Sequence, residues 1–227
     1  MYWDWTYLLM LPGLILGLWS QARVKSAYAK YGKVLSRSGM SAAEVARDLL
    51  EKGAPGVTVK RVAGELTDHF DPRDDTLALS DGVFASSSVA AIGIAAHEAG
   101  HAMQKNDDYA PMKLRTAIAP VVSIGSNLSW PIFIIGIIFS FQPLVFAGIL
   151  VFSLAVLFSL ITLPVEFDAS RRALRALESG GYLDAGELKG AKSVLTAAAL
   201  TYLASFVSMV LQLLRLLLIA NSSRRRD

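Results

Sequence analysis

Residues Ala117 to Leu163 read AIAPVVSIGSNLSWPIFIIGIIFSFQPLVFAGILVFSLAVLFSLITL, without one charged side chain. Roughly 20 apolar helical residues cross the hydrocarbon core of a bilayer. The run therefore holds two spans, Ala117 to Phe139 and Pro143 to Leu163. The break between them, Ser140 to Gln142, is long enough only for a tight reversal, so residues 117–164 are predicted to form a transmembrane hairpin. A hairpin crosses twice. Whatever precedes Ala117 and whatever follows Pro164 must then lie on one side of the membrane.

Outward from the hairpin, the composition agrees. Hydrophobic residues make up 53% of the 227, charged residues 18%, and the mean hydropathy is +0.44, too apolar for an ordinary soluble domain. A first apolar segment, Trp5 to Trp19, lacks the basic start and small-residue cleavage site of a secretory signal, so residues 1–22 are expected to be a transmembrane anchor. Arg23, Lys25, Lys30, Lys33 and Arg37 follow closely, which places that flank in the cytoplasm and the N-terminus outside. A last apolar stretch, Val194 to Ala220 within segment 193–227, is interrupted by Gln212 and Arg215 and followed by Arg224, Arg225 and Arg226. If it crosses, the basic tail lies outside, against the charge rule. If it is re-entrant or interfacial, the tail stays inside and Arg215 snorkels. Crossing is the favoured expectation, giving about four transmembrane helices. The net charge of +3 sits beside apolar segments rather than in one stripe, so it speaks for membrane orientation and against a nucleic-acid partner.

Two polar regions remain, residues 23–116 and 165–192. In the first, Ser41-Ala-Ala-Glu44 has the form of a capping box opening a helix through Leu50, with Gly53 as its stop. Val57, Val59 and Arg61 alternate with Thr58 and Lys60. Two more short runs, Leu66 to Phe70 and Thr76 to Ser80, flank the turn-rich Asp71-Pro-Arg-Asp-Asp75, and together these predict a small antiparallel β-sheet. An Ala-rich helix is expected from Ser86 to Gln104. The second region should be helical until Gly180-Gly181. The predicted fold is mainly α, an integral membrane helical protein with a small sheet.

The Ala-rich helix carries His97-Glu98-Ala99-Gly100-His101. Residues four apart project from one helix face, so the two imidazoles can share one zinc ion. Glu98 points about 100° away, where its carboxylate can take a proton from water instead of binding metal. The bland alternative is a chance pair of surface histidines. Against it, the chain has only three histidines, and two stand at ligand spacing around a glutamate. With no cysteine in the chain, any metal must be held by His, Asp or Glu. A catalytic zinc takes three protein ligands, so one must come from elsewhere. Glu166, just past the hairpin, returns to the face that bears His97 and His101. By spacing alone it is equally well a solvated charge at the interface.

Several stretches share a resemblance. Asp68-His69-Phe70-Asp71-Pro72-Arg73, the Leu79-Ser80 pair, the run through His101-Ala-Met-Gln104, and Leu163-Pro-Val-Glu166-Phe-Asp-Ala-Ser170 resemble YugP-type neutral zinc metallopeptidases of bacterial membranes. The resemblance covers most of the chain. That family is similar in layout to HtpX-type and CaaX prenyl membrane metalloproteases, in which a Glu on a helix after a transmembrane hairpin completes the zinc site. This implies Glu166 as third ligand. It also exposes a departure, because such enzymes commonly carry an Asp four residues after the ligand Glu to support a zinc histidine, and Ser170 stands there. Support would then pass to Asp168 or to a backbone carbonyl.

The remaining histidine, His69, is either a donor to a tetrahedral oxyanion or a turn histidine bonded to Asp68 or Asp71. By analogy with zinc peptidases generally, strand Thr76 to Ser80 is a candidate edge for aligning an extended substrate. Gly93 and Gly100, with their Ala neighbours, make a thin helix against which the Glu166 segment could pack. Ser123, Ser126, Asn127 and Ser129 either line a wet cavity or satisfy backbone groups near Pro131. The expected function is a zinc-dependent endopeptidase in the bacterial inner membrane, its active site facing the cytoplasm, its partners protein or peptide substrates and the lipid bilayer. Two rivals are a non-catalytic zinc-bound scaffold or inactive relative, and a transporter using the motif as an ion relay. A structural site needs no base at Glu98, and the motif lies outside any predicted span.

Overall fold

The computed structural model describes residues 5–224. After a 3-10 turn at Trp5–Met10 come helices α1 (Leu11–Tyr31) and α2 (Ala42–Gly53), then strands β1 (Thr58–Val62), β2 (His69–Asp71) and β3 (Thr76–Ser80). The short α3 (Asp81–Phe84) leads into α4 (Val89–Asn106), followed by three long helices, α5 (Ala110–Ile138), α6 (Gln142–Ser179) and α7 (Ala185–Arg224). The protein is mainly helical, and four of its helical stretches are long and apolar enough to cross a membrane. Arg225 and Arg226 of the basic tail, and the first four residues of the anchor, lie outside the described residues.

The chain divides into two compact units. The first takes α1 as far as Trp19, Leu114–Leu163 and α7 from Thr201. Within it α5 stops at Ile138 and α6 starts at Gln142, with Ser140 in the left-handed region at φ +50°, which reproduces the expected reversal. A Cβ on Gly136 would lie 2.6 Å from the Val145 amide nitrogen, and one on Gly148 would lie 2.8 Å from that of Phe133. Glycine is what allows these two backbones to touch. The polar residues of α5 serve its backbone: Ser129 donates to the Ser126 carbonyl (2.7 Å) and Ser126 to that of Ser123 (3.1 Å), beside Pro131, which lacks an N–H. α7 runs unbroken for 40 residues, which leaves no re-entrant turn. Arg215 is buried in this unit, its Nε donating to Thr6 Oγ1 (3.1 Å) and its guanidinium 3.9 Å from the Tyr7 ring centroid.

The second unit takes Ser20–Lys113 and Pro164–Leu200. The capping box is present in full: Ser41 Oγ accepts from the Glu44 amide and the Glu44 carboxylate accepts from the Ser41 amide. That starts α2 at the residue the sequence indicates, and the apolar stripe Ala42, Val45, Ala46, Leu49 and Leu50 packs into the core with Leu77, Leu79, Ile92 and Leu177. The predicted sheet is there, but it is mixed rather than antiparallel. β3 lies between the other strands, parallel to β1 (Thr58 opposite Thr76) and antiparallel to β2 (Phe70 opposite Leu77). The reason is burial. Every residue of Thr76–Ser80 is buried, so this strand takes the middle, and β1, with Lys60 and Arg61, takes an edge. Thr76 to Ser80 is therefore no edge for a substrate, because both of its sides are already paired.

Candidate metal centre

Ser88 opens α4 by accepting from the Ala91 amide, and no helix breaker intervenes before Asn106, so His97 and His101 stay in one helical register. α6 includes Pro164 and carries Glu166, two residues later, within the polar unit. The two helices meet where both are thin. A Cβ on Gly100 would lie 2.5 Å from the Ala169 carbonyl oxygen, so any other residue would push α6 away. Gly93, the other glycine of the expected thin face, looks instead onto Ala191 of α7 at 3.4 Å.

This contact delivers Glu166 to the histidines. Its Oε2 lies 3.3 Å from His97 Nε2 and 3.6 Å from His101 Nε2, and one ligand atom from each of the three side chains falls within 4.8 Å of the others. Glu166 is 2% exposed. A carboxylate so deeply buried needs a cation beside it. Burial pushes the His101 imidazolium down, but Glu166 and the charge of Glu98 outweigh it and hold that pKa above the ordinary value. Burial likewise pushes Glu166 up, and the two imidazoles hold it well below the usual carboxylate range. The pocket is built for positive charge, supplied by a proton or by a metal ion.

The hydrogen bonds around the rings orient them. His101 Nδ1 is 3.0 Å from Gln104 Oε1, while Gln104 Nε2 donates to the Val165 carbonyl (2.8 Å) and to Asp168 Oδ2 (3.0 Å). Two acceptors fix which end of the amide is nitrogen, so its oxygen faces the ring and His101 carries its proton on Nδ1. Its Nε2 points at Glu166, where a proton or a metal ion can lie between them. His97 repeats the pattern, with Nδ1 held by Ser170 Oγ at 3.1 Å. Two imidazole nitrogens and one carboxylate oxygen, with the far nitrogens engaged, are a zinc donor set with its orienting partners.

Ser170 thus holds His97 directly, at the position where the sequence departs from the resemblance, whereas Asp168 reaches His101 only through Gln104. Behind Asp168 stands Arg172, whose Nε donates to it at 2.7 Å and whose other arm binds Asp107. Burial alone would raise the Asp168 pKa, and Arg172 and Gln104 bring it below its ordinary value. The sequence reading missed Gln104 and Arg172. The signal for Gln104 was present, since a glutamine three residues past a ligand histidine lies on the same face of an otherwise apolar helix.

Glu98 does not join the ligands. Its Oε2 accepts the Phe70 amide of β2 at 3.0 Å. Phe70 of this strand is buried, and the turn after it is tied to α4 by Lys105, whose Nζ donates to the Pro72 carbonyl and to Asp75 (both 2.6 Å). His69, next to Phe70, is exposed and is not among the clustered ligands. Its Nδ1 lies 2.7 Å from the Thr67 carbonyl and so carries a proton. Neither aspartate is hydrogen-bonded to it: Asp68 accepts from Ser80 (N at 2.7 Å), and Asp71 pairs with Arg73 and feels the His69 ring only through its charge.

Comparison with known proteins bears on this geometry. The sequence profile of a family described as "Putative neutral zinc metallopeptidase" matches residues 6–221. The chain is 42% identical over 217 residues, 95% of its own length and 96% of the relative's, to a Bacillus subtilis (strain 168) protein named "Putative membrane protease YugP". No solved structure gives a significant match.

Proposed function

The chain belongs to the neutral zinc metallopeptidase family, and from that membership we propose that it is a membrane-embedded endopeptidase that hydrolyses proteins or peptides at the cytoplasmic membrane surface. The observation that carries the reading is the convergence of His97, His101 and Glu166 within 4.8 Å, with Glu98 held beside them on the amide of a neighbouring strand. These three side chains would hold the zinc. Bound there, zinc supplies Lewis acidity to the scissile carbonyl and lowers the pKa of water toward about 7.

The protein's own residues supply positioning and proton transfer. Gln104 and Ser170 keep both rings turned with Nε2 inward. One oxygen of Glu98 is occupied by the Phe70 N–H, which fixes the carboxylate and leaves the other oxygen to accept a proton from water as its oxygen adds to the carbonyl carbon. When the C–N bond breaks, Glu98 gives that proton to the departing amine, so the base is restored at the end of each turnover. His69 is the proposed donor to the oxyanion. With Nδ1 committed to the Thr67 carbonyl, His69 can reach an oxyanion only through Nε2. The cytoplasmic orientation rests on the basic residues that follow the anchor, Arg23 to Arg37.

Metal analysis together with hydrolysis of an unstructured protein tests the proposal. Wild type and Glu98→Gln should each bind one zinc per chain, and the variant should lose 10²- to 10⁴-fold in kcat, the range for removal of a general base. Equal rates would refute the base. A chain that holds zinc stoichiometrically but never cleaves would support the scaffold alternative.

A further inference from the structure

We propose that the groove between α6 and the start of α7, lined by Arg171, Arg175 and Lys192, binds the headgroup of an anionic phospholipid. The cavity holds about 330 Å³ and lies wholly within the polar unit. Three cations line it against one carboxylate, Glu178. Among the described residues, Arg171, Arg175 and Lys192 make no hydrogen bond or ion pair, whereas Arg172 on the same helix is tied to Asp107 and Asp168. An excess of positive charge around a concave surface, only Arg171 feeling a nearby carboxylate, Asp168, at longer range, is suited to a phosphodiester, which guanidinium groups grip in bidentate fashion.

The position along both helices selects a lipid over an acidic peptide. The apolar run of α6 ends at Pro164, so at about 1.5 Å per residue Phe167 lies roughly 5 Å and Arg171 roughly 10 Å further along. On α7, Lys192 comes two residues before the apolar stretch that opens at Val194. Lys192 therefore falls at the depth of the headgroup layer, about 5–8 Å thick on each face of a bilayer, and Arg171, just beyond it, reaches back because helical side chains tilt toward the helix N-terminus, here the membrane end of α6. Phe167, 44% exposed, lies at the apolar lip, and Leu174 and Leu195 give the floor an apolar character that an acyl chain or glycerol backbone can cover. Basic pockets at the ends of membrane helices take anionic headgroups by this combination of charge and depth. Ser170 forms part of the wall, and the same side chain holds His97, so the groove backs onto the metal centre.

The inference rests on α6 and α7 crossing the membrane, not on peptidase chemistry. The test is native mass spectrometry on the full chain in detergent, with phosphatidylglycerol or phosphatidylcholine added. Wild type should retain phosphatidylglycerol in preference to phosphatidylcholine. The triple variant Arg171→Gln, Arg175→Gln, Lys192→Gln should bind phosphatidylglycerol roughly 100-fold more weakly, and each single variant roughly 5-fold more weakly, which keeps the test open should the triple variant fail to fold. Arg23→Gln with Lys25→Gln, basic residues on α1 and outside the groove, should leave the preference unchanged. Equal retention of both lipids, equal binding by the triple variant, displacement of the lipid by millimolar inorganic phosphate, or a stronger preference for an acidic peptide would each overturn the proposal. Release of the protein from membranes without detergent would instead refute the crossing reading.

Discussion

Gln104 makes three hydrogen bonds in a space closed to solvent, with His101 on one side and the Val165 carbonyl and Asp168 on the other. Leucine has a similar volume and none of those bonds, so Gln104→Leu frees the ring to rotate and removes the link from His101 to Asp168. We expect zinc affinity to fall 10- to 100-fold, the usual consequence of losing a group that orients a ligand, and a competitive chelator titration measures it. Ser170→Ala should do the same at His97. Gly100→Ala acts differently, since it removes no contact. Its methyl group would collide with the Ala169 carbonyl, separate α6 from α4 and draw Glu166 away from the rings. It should lower zinc occupancy while leaving the histidines and Glu98 intact, and a variant with wild-type zinc content would show that the helices can part without cost.

At the scale of elements, α2 is the best-specified helix in the chain. Ser41→Ala removes the cap and should destabilise the protein by about 1 kcal/mol at neutral pH. The reciprocal bond makes that difference depend on pH. The backbone N–H and hydroxyl of Ser41 hold the Glu44 pKa below its ordinary 4.5. A depressed carboxylate contributes stability that is complete above about pH 4.5 and is lost as the pH falls through its folded value. The stability gap between wild type and Ser41→Ala should therefore narrow on acidification. Urea titrations at pH 7 and pH 3.5 would reveal it, and a gap that stays constant would mean that Glu44 is not coupled to the cap. The sheet shows the opposite case. Alternation marked its strands, but which strand lies central depends on what covers its faces, and β3 is central because core residues cover both.

Across the whole molecule, the long helices present Leu14, Ile15, Val121, Ile138, Leu150 and Leu157 outward, and only 11–28% of residues in their apolar windows are buried. Such surface is tolerated only in an apolar solvent, which is why these helices belong in lipid. The unbroken α7 and the burial of Arg215 against Thr6 and Tyr7 remove the need for that arginine to snorkel, and they favour the crossing topology. A reporter enzyme fused after Asp227 should then be active only outside the cytoplasm. Cytoplasmic activity would replace the four-span topology with one in which α7 lies along the interface.

The sequence by itself determined the apolar helices and their hairpin, the capped α2, and the pairing of His97 with His101 around Glu98. Each of these is a local property, written in hydropathy over a span or in residues three and four apart on one helix. Tertiary structure alone decided the rest. Glu166 lies 65 positions beyond His101, and no periodicity connects them; the meeting depends on Gly100 admitting the Ala169 carbonyl. The support from Gln104 and Ser170, the anchoring of Glu98 on the Phe70 amide and the central place of β3 arise in the same way. Side-chain and backbone hydrogen bonds between distant segments follow packing, and packing is settled only when the whole core closes.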